Sequence, residues 1–319
     1  MRVLVAGSTG AIGIPLVRQL TDRGHHVIAT TRRPDRAERL RRLGAAVTKM
    51  DGLDAASVGE AVARAEPDAI IHQMTALSGQ PDMRHFDRWF AATNALRTAG
   101  TRNLLAAAQA AGVARVVVQS YAGWNIDRRG RGLATEDEPL DSNPAPAQRE
   151  SLAALQFLER AVTEVPLTGI VLRYGSFYGP GASDAYVDMV RKRMLPIIGS
   201  GAGVWSWIHI DDAASATVAA LERGEPGIYH VADDTPAPVA EWLPYLAQSV
   251  GAKLPLHLPA WLGRLAAGDV VVRMMTDVRG VSNAKAKWML DWRPRWASWR
   301  DGFRRALGEG AAVQREAAA

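Results

Sequence analysis

Three glycines spaced three apart, in Gly7-Ser8-Thr9-Gly10-Ala11-Ile12-Gly13, carry the clearest chemistry in this 319-residue sequence. Glycine serves where a turn is too tight for a side chain and where the backbone must approach a phosphate. A helix that starts at such a turn offers free N–H groups and the positive end of its dipole. The run follows a short apolar stretch at residues 3–6 and opens a pattern in which Ile12, Leu16, Val17 and Leu20 share one helical face. Strand, Gly-rich turn and helix in that order bind the pyrophosphate of a dinucleotide; the same glycines in a loop would mean little. At the end of the second strand an acidic residue would hold the adenosine ribose hydroxyls of NAD, but Thr30, Thr31, Arg32 and Arg33 stand there. A guanidinium pairs with a phosphate through two N–H groups. Thr31, Arg32 and Arg33 therefore favour NADP(H), with its 2′-phosphate, over NAD(H). Asp51, followed by Gly52, is placed either to accept from the adenine amino group or to cap the next helix. Gln73, Met74 and Thr75 follow the fourth strand, at the edge where the cofactor must lie.

These residues need a scaffold, and hydrophobic periodicity supplies one. Strands are expected at 3–6, 26–30, 46–50, 69–73, 113–120 and 167–173, and helices at 11–23, 36–43, 55–65, 84–111 and 150–163. The alternation predicts an α/β protein with a Rossmann-type, doubly wound parallel sheet. Residues 1–175 read as the nucleotide-binding domain. Residues 176–319, less regular and rich in Pro and Trp, read mainly as a small C-terminal substrate lobe with some segments returning to the core. A polar loop at 128–146 is long enough to wall a site. There is no internal repeat, and low complexity is confined to the tail after Gly308.

Composition narrows the function classes. The net charge of +5 is spread along the chain apart from six arginines within residues 32–42. No basic face carries interleaved aromatics, so nucleic acid is not expected as a partner. Without cysteine there is no disulfide, thiolate metal site or Cys nucleophile, and no metal is expected. A strand beginning at Arg2 leaves no room for a leader peptide, and no apolar run reaches about 18 residues, so a cytoplasmic protein without membrane association is expected.

With these features, further motifs make the chain resemble the extended short-chain dehydrogenase/reductases, the group that includes nucleotide-sugar epimerases and dehydratases. They are Asp68-Ala-Ile-Ile-His72, Gly100-Thr-Arg-Asn-Leu-Leu105, Leu172-Arg-Tyr-Gly-Ser-Phe-Tyr-Gly-Pro-Gly181, Trp207-Ile-His-Ile-Asp-Asp-Ala213 and Leu290-Asp-Trp-Arg-Pro294. The resemblance implies a substrate cleft between core and lobe, with Tyr174 bordering the nicotinamide. It implies that an aspartate of the His209–Asp212 segment caps a helix, that Tyr178 is structural and that His72 is a packed residue. It also leaves open a homodimer paired through the long helices at 84–111 and 150–163.

That family works with a Tyr and, four residues later, a Lys that lowers the Tyr pKa and holds the nicotinamide ribose. Here the corresponding helix reads Ala147-Gln-Arg-Glu-Ser-Leu-Ala-Ala-Leu-Gln-Phe-Leu-Glu159, with neither, and no Lys occurs between Lys49 and Lys192. Arg149, the nearest cation in that segment, is a poor proton relay. In the helix before it, Arg97 stands where the family usually has Asn, while Asn94 lies six residues before Gly100. The family's Ser falls at Ser120 or Tyr121. Tyr121 would then stand beside the substrate oxygen as a replacement acid, its ordinary pKa near 10 suited to donation. The other reading is an aromatic wall, with Ser120 bonded to backbone.

Trp124, Ser176, Tyr186, Trp205 and Trp207 fall in segments expected at the cleft and favour a sugar ring or a planar, oxygenated metabolite. Trp288, Trp292 and Trp299 are expected to pack the lobe. The leading expectation is an NADP(H)-dependent oxidoreductase that reduces a carbonyl or activated double bond of a small sugar-like or aromatic metabolite. The alternatives are an epimerase or dehydratase that borrows and returns hydride, and a non-catalytic NADP-binding sensor.

Overall fold

Strands that are apolar on both faces build the centre of the molecule, as a covered parallel sheet requires. The computed structural model describes residues 1–77 and 81–307, so the tail after Gly308 lies outside the described residues. The strands β1 (Arg2–Ala6), β2 (His26–Thr31), β3 (Ala46–Lys49), β4 (Ala69–His72), β5 (Arg115–Tyr121) and β6 (Thr168–Tyr174) are joined at the edge by Gly227–Val231. All seven run parallel, in the order β3, β2, β1, β4, β5, β6, Gly227–Val231. The order reverses between β1 and β4, and the crevice that forms there at the strands' carboxyl ends is where such sheets bind ligands.

Helices α1 (Gly13–Asp22), α2 (Ala37–Arg42), α3 (Ala55–Ala65), α4 (Phe86–Ala95), α5 (Thr101–Ala110) and α6 (Arg149–Thr163) cover the sheet. On one face Leu16, Val17 and Leu20 of α1 pack with Ala213 and Ala216 of a later helix. On the other, Val58, Val62, Leu104, Leu158 and Val162 form the second apolar layer. The single helix expected at 84–111 starts at Phe86 and is interrupted by a π turn, Leu96–Gly100, between α4 and α5. Turns of this kind recur at functional sites.

The later chain forms α7 (Asp184–Arg191), α8 (Ile210–Arg223), α9 (Val239–Ser249), α10 (Ala260–Ala267) and α11 (Asp269–Thr276). Helix α8 returns to the core and docks on α1, where Gln19 Nε2 donates to the Asp211 carbonyl. Tyr178, Trp207, Trp242, Trp299 and Phe303 form an aromatic core for the remainder, with Trp207 4.9 Å from Trp242 and 5.1 Å from Phe303 between ring centres. Trp292 and Trp299 are buried as expected, but Trp288 is 85% exposed: its short helix turns Ala286 inward and leaves the indole outside. Among the described residues no helix is long and apolar enough to cross a membrane.

Two arginines fasten the long loop. Arg279, nearly buried, donates to the carbonyls of Asp127, Arg129, Arg131 and Gly132 and pairs with Glu138. Arg128 pairs with Asp141 and Asp277 and donates to the Asn143 carbonyl. The loop is therefore a fixed wall.

Asp233, just past the edge strand, is 1% exposed. Its Oδ1 accepts from Thr235 N at 3.0 Å, while Oδ2 has no partner among the described residues. Burial pushes its pKa up to about 7, Asp234 adding to the rise and Arg300 opposing it. The folded state therefore keeps this proton between about pH 4 and 7 while the unfolded chain has released it. The group's contribution to stability is full below that window and lost across it. Asp233→Asn is expected to melt a few degrees above the wild type at pH 8 and to show no advantage at pH 4, as read by thermal unfolding at the two pH values.

Candidate active site

The Gly-rich turn is built so that no side chain could fill it. Gly7 has φ +93°, and a Cβ there would lie 2.4 Å from the Gln73 carbonyl oxygen; a Cβ on Gly13 would lie 2.4 Å from that of Gly7. Helix α1 has neither a side-chain cap nor an acidic residue in its first turn, so no carboxylate of its own opposes the positive end of its dipole; Ile14 N donates to the Gly10 carbonyl and Pro15 has no N–H. Ser8 is buried and spends its hydroxyl on the turn, donating to the Val5 carbonyl (2.6 Å) and accepting from Thr30 N (3.0 Å). Ile12 packs into the core, whereas Thr9 is half-buried and Gly10 and Ala11 are exposed.

At the end of β2, Thr31 Oγ1 accepts from Arg33 N at 3.0 Å and orders the turn that displays Arg32 and Arg33, both exposed. Arg33 lies 3.9 Å from Asp35, and Arg32 has no partner among the described residues. The two readings of Asp51 separate. Asp54 caps α3, accepting from Ala56 N and Ser57 N, while Asp51 accepts only from Leu53 N. Gly52 lies against Met74, whose sulfur would be 2.6 Å from a Cβ there. Gln73 Nε2 donates to the Tyr174 hydroxyl, and its buried Oε1 has no partner among the described residues; Thr75 is exposed. Tyr174 itself is fully buried, its hydroxyl shared between Gln73 and Thr217 (2.6 Å). It is a strut beneath the sheet edge, which corrects the expectation that it borders the nicotinamide.

The end of β5 is the chemically distinctive part. Ser120 bonds to no backbone group. Its hydroxyl donates to Glu159 at 2.6 Å, and Glu159 is held by Arg173 through Nε (2.8 Å) and Nη2 (2.6 Å). Ser120 can therefore only accept from a ligand. Tyr121 is half-buried, with its hydroxyl 3.2 Å from Ser176 Oγ and its ring against Gly123, where a Cβ would be 2.7 Å from the ring. Burial raises the Tyr121 pKa while the Ser176 bond opposes the rise, so the hydroxyl stays protonated. Tyr121, Trp124, Ser176, Trp205, Met274 and Val278 meet around one narrow, uncharged cleft. Tyr186 borders this group, edge-on to Trp205 at 6.4 Å, and burial lifts its hydroxyl pKa too, with Tyr121 adding to the rise.

Trp207 does not reach the cleft. It is 1% exposed, locked in the lobe core, and its neighbour Trp205 takes the place at the wall. Met274 and Val278 went unnoticed in the sequence, because no motif marks an apolar wall donated from another part of the chain.

The histidines are structural. His72 has its pKa lowered to about 4 by burial; its Nδ1 accepts from Met74 N and its Nε2 faces the Leu96 carbonyl. His209, rather than an aspartate, caps α8 by accepting from Asp211 N, and it stacks on Trp296 at 4.9 Å. Asp212 instead receives the N–H groups of Arg295 and Trp296 and anchors the closing segment.

The family model described as the NAD dependent epimerase/dehydratase family matches residues 3–232. The chain is 43% identical to a 3-diazoavenalumate denitrifying reductase of a Streptomyces species over 310 residues, 96% of this chain and 100% of that protein. It is 28% identical to a 2-alkyl-3-oxoalkanoate reductase of Stenotrophomonas maltophilia, covering 79% of this chain and 76% of that one. Among solved structures, a dTDP-glucose 4,6-dehydratase of Streptomyces venezuelae with NAD bound superposes with a TM-score of 0.74, at 25% identity and 96% coverage of each chain. A UDP-glucose 4-epimerase of Thermotoga maritima gives a TM-score of 0.76 at 22% identity, covering 98% of this chain and 99% of that one, a likeness of fold.

One carbon added at Gly7 would collide with the Gln73 carbonyl in a backbone region that only glycine enters freely. Gly7→Ala is expected to weaken dinucleotide binding by about tenfold or more, because the turn must shift away from the pyrophosphate. Titration followed by tryptophan fluorescence checks it.

Proposed function

The chain belongs to the NAD dependent epimerase/dehydratase family and is an oxidoreductase of it. From that premise we propose an NADP(H)-dependent reductase whose acceptor is a planar, oxygenated aromatic ring carrying a diazo group. The observation that carries this reading is the uncharged, indole-walled cleft at Tyr121, set beside an α6 that has no Tyr and no Lys. Its support from outside the chain is the end-to-end likeness to a diazo-compound reductase.

The Gly7–Gly13 turn would hold the pyrophosphate of a dinucleotide, whose reduced nicotinamide would supply a hydride. An arenediazonium ring that gains a hydride and loses dinitrogen becomes a neutral arene, and the balance needs no proton from the protein. If a ring hydroxyl beside the diazo group has lost its proton, the neutral diazo-quinone form needs one proton on that oxygen. Tyr121, kept protonated by burial and steadied by Ser176, is the group that gives it. Trp124 and Trp205, each under a tenth exposed, close the apolar side of the cleft, which would have to widen to admit the ring.

Reactions that borrow and return hydride need a base to remove a hydroxyl proton. In the first turns of α6 that role would fall to Ser151, which is fully buried and already bonded to Asp87 (2.6 Å) and Asn94 (2.9 Å), or to Leu152 and Leu155, which cannot do it. Reduction alone escapes this requirement. The free guanidinium of Arg32, with Arg33 beside it, supports the 2′-phosphate form of the cofactor.

With a hydroxyl-substituted arenediazonium salt as probe, loss of NADPH absorbance should match dinitrogen released one for one. Turnover with carbonyl acceptors and none with the diazo probe would overturn the substrate class. Tyr121→Phe is expected to lower kcat by about a hundredfold, the usual size of a lost general acid, and full activity would remove Tyr121 from the mechanism. Arg32→Ala should weaken NADPH by about tenfold while sparing NADH, the loss of one charged hydrogen bond; equal losses for both refute the 2′-phosphate role.

A further inference from the structure

Helix α6 lacks a cation at the crevice, yet one stands on the neighbouring helix. Arg97 lies in the π turn between α4 and α5. Its Nη1 donates to Asn94 Oδ1 at 3.0 Å, and its guanidinium sits 5.4 Å from the centre of the Phe90 ring. Among the described residues it has no ion pair, and its Nε and Nη2 have no hydrogen-bond partner. Burial lowers its pKa to about 10, with Glu159 opposing the fall, so it remains a cation at neutral pH. Half-buried and using one of its five donors within the fold, this guanidinium keeps the rest for a ligand.

Its neighbours locate it. Asn94, which Arg97 holds, donates in turn to Ser151 Oγ in the first turn of α6. His72 closes β4, and the Arg97 charge is one of the influences that lower its pKa. Glu159, whose charge Arg97 feels, bonds Ser120 at the end of β5. Arg97 is thus tied to the start of α6 through Asn94 and Ser151, and it follows Leu96, whose carbonyl meets His72 at the end of β4, the strand beside the crevice.

We infer that Arg97 holds the ribose of the cofactor's nicotinamide half, supplying from the π turn the fixed positive charge that α6 no longer provides. The inference rests on the cofactor reading above. A guanidinium donates hydrogen bonds but does not release its proton, so this arrangement keeps the binding role of a lysine and drops its part in proton relay. That division suits a site that only reduces.

Arg97→Met separates the two halves of the cofactor. NADPH affinity should fall about tenfold or more, the loss of hydrogen bonds from a charged donor, while 2′,5′-ADP, which has the adenosine half and no nicotinamide ribose, should bind as to the wild type. Arg97→Lys should restore most of the NADPH affinity. Arg97→Gln, which can keep the bond to Asn94, should show the same selective loss if Arg97→Met folds poorly. The melting temperature of ligand-free Arg97→Gln should stay within a few degrees of the wild type, since Arg97 makes no ion pair among the described residues and the Asn94 bond can be kept. Equal weakening of both ligands, or no weakening of NADPH, overturns the assignment. Wild-type preference for NADPH over NADH reports on the cofactor reading alone, whereas the variant's split between NADPH and 2′,5′-ADP reports on Arg97 alone.

Discussion

The ion pair between Glu159 and Arg173 is the contact on which the rest of the site hangs. Both side chains are almost wholly out of water, and the carboxylate takes two guanidinium bonds and the Ser120 hydroxyl. One pair therefore joins α6, β6 and the end of β5. Arg173 also approaches His230 on the edge strand at 3.4 Å, and His230 donates its backbone N–H to Glu136 of the long loop. Removing two charges from water is expensive, and an arrangement like this one is stable only because every strong acceptor and donor is matched. Taking away one partner alone would cost roughly 3–5 kcal/mol, since the other charge would remain buried.

That pair also sorts the site by polarity. Charge is kept behind the sheet edge, in Glu159 and Arg173, while the cleft shows a ligand hydroxyls, indoles and aliphatic groups. Ser120, with its proton committed to Glu159, is left as an acceptor, and Tyr121, whose proton burial retains, is left as a donor. Tyr121 lines the cleft, whereas Ser120 turns to the other face of the strand, toward α6, and is not part of the cleft wall. The cleft therefore shows a ring a hydroxyl donor without a base.

The parts legible in the sequence were those set by local geometry. The Gly7 turn announces itself because a positive φ between strand and helix demands glycine, and the strands and helices follow from periods of 2 and 3.6 residues. The π turn was hidden, because one extra residue in a long helical pattern barely disturbs its period. Whether Asp51 caps the next helix could not be decided without knowing where α3 begins, and the cap proves to be Asp54. The aromatic wall was half read: Trp124 and Tyr121 sit next to the β5 motif, but choosing Trp205 over Trp207 depends on a break between two short strands, Val204–Trp205 and Trp207–His209, that pair with different partners. Ser120's partner lies 39 residues away and Met274 lies in another lobe, so neither leaves a local trace.

The grip of Arg279 on the long loop has a consequence for how the chain is made. Its guanidinium holds carbonyls synthesised about 150 residues earlier, at Asp127 and Arg129. The seven-stranded sheet has all its strands once Val231 has emerged from the ribosome, well before Arg279 exists. A nascent chain therefore passes through a stage in which the nucleotide crevice is assembled while the loop's carbonyls are still solvated and the Met274–Val278 side of the cleft is missing. Construction of the molecule ends at its cleft, and a chain terminated short of Arg279 would lose the cleft's enclosure together with Ala286, Leu290 and Trp292 of the sheet's own core.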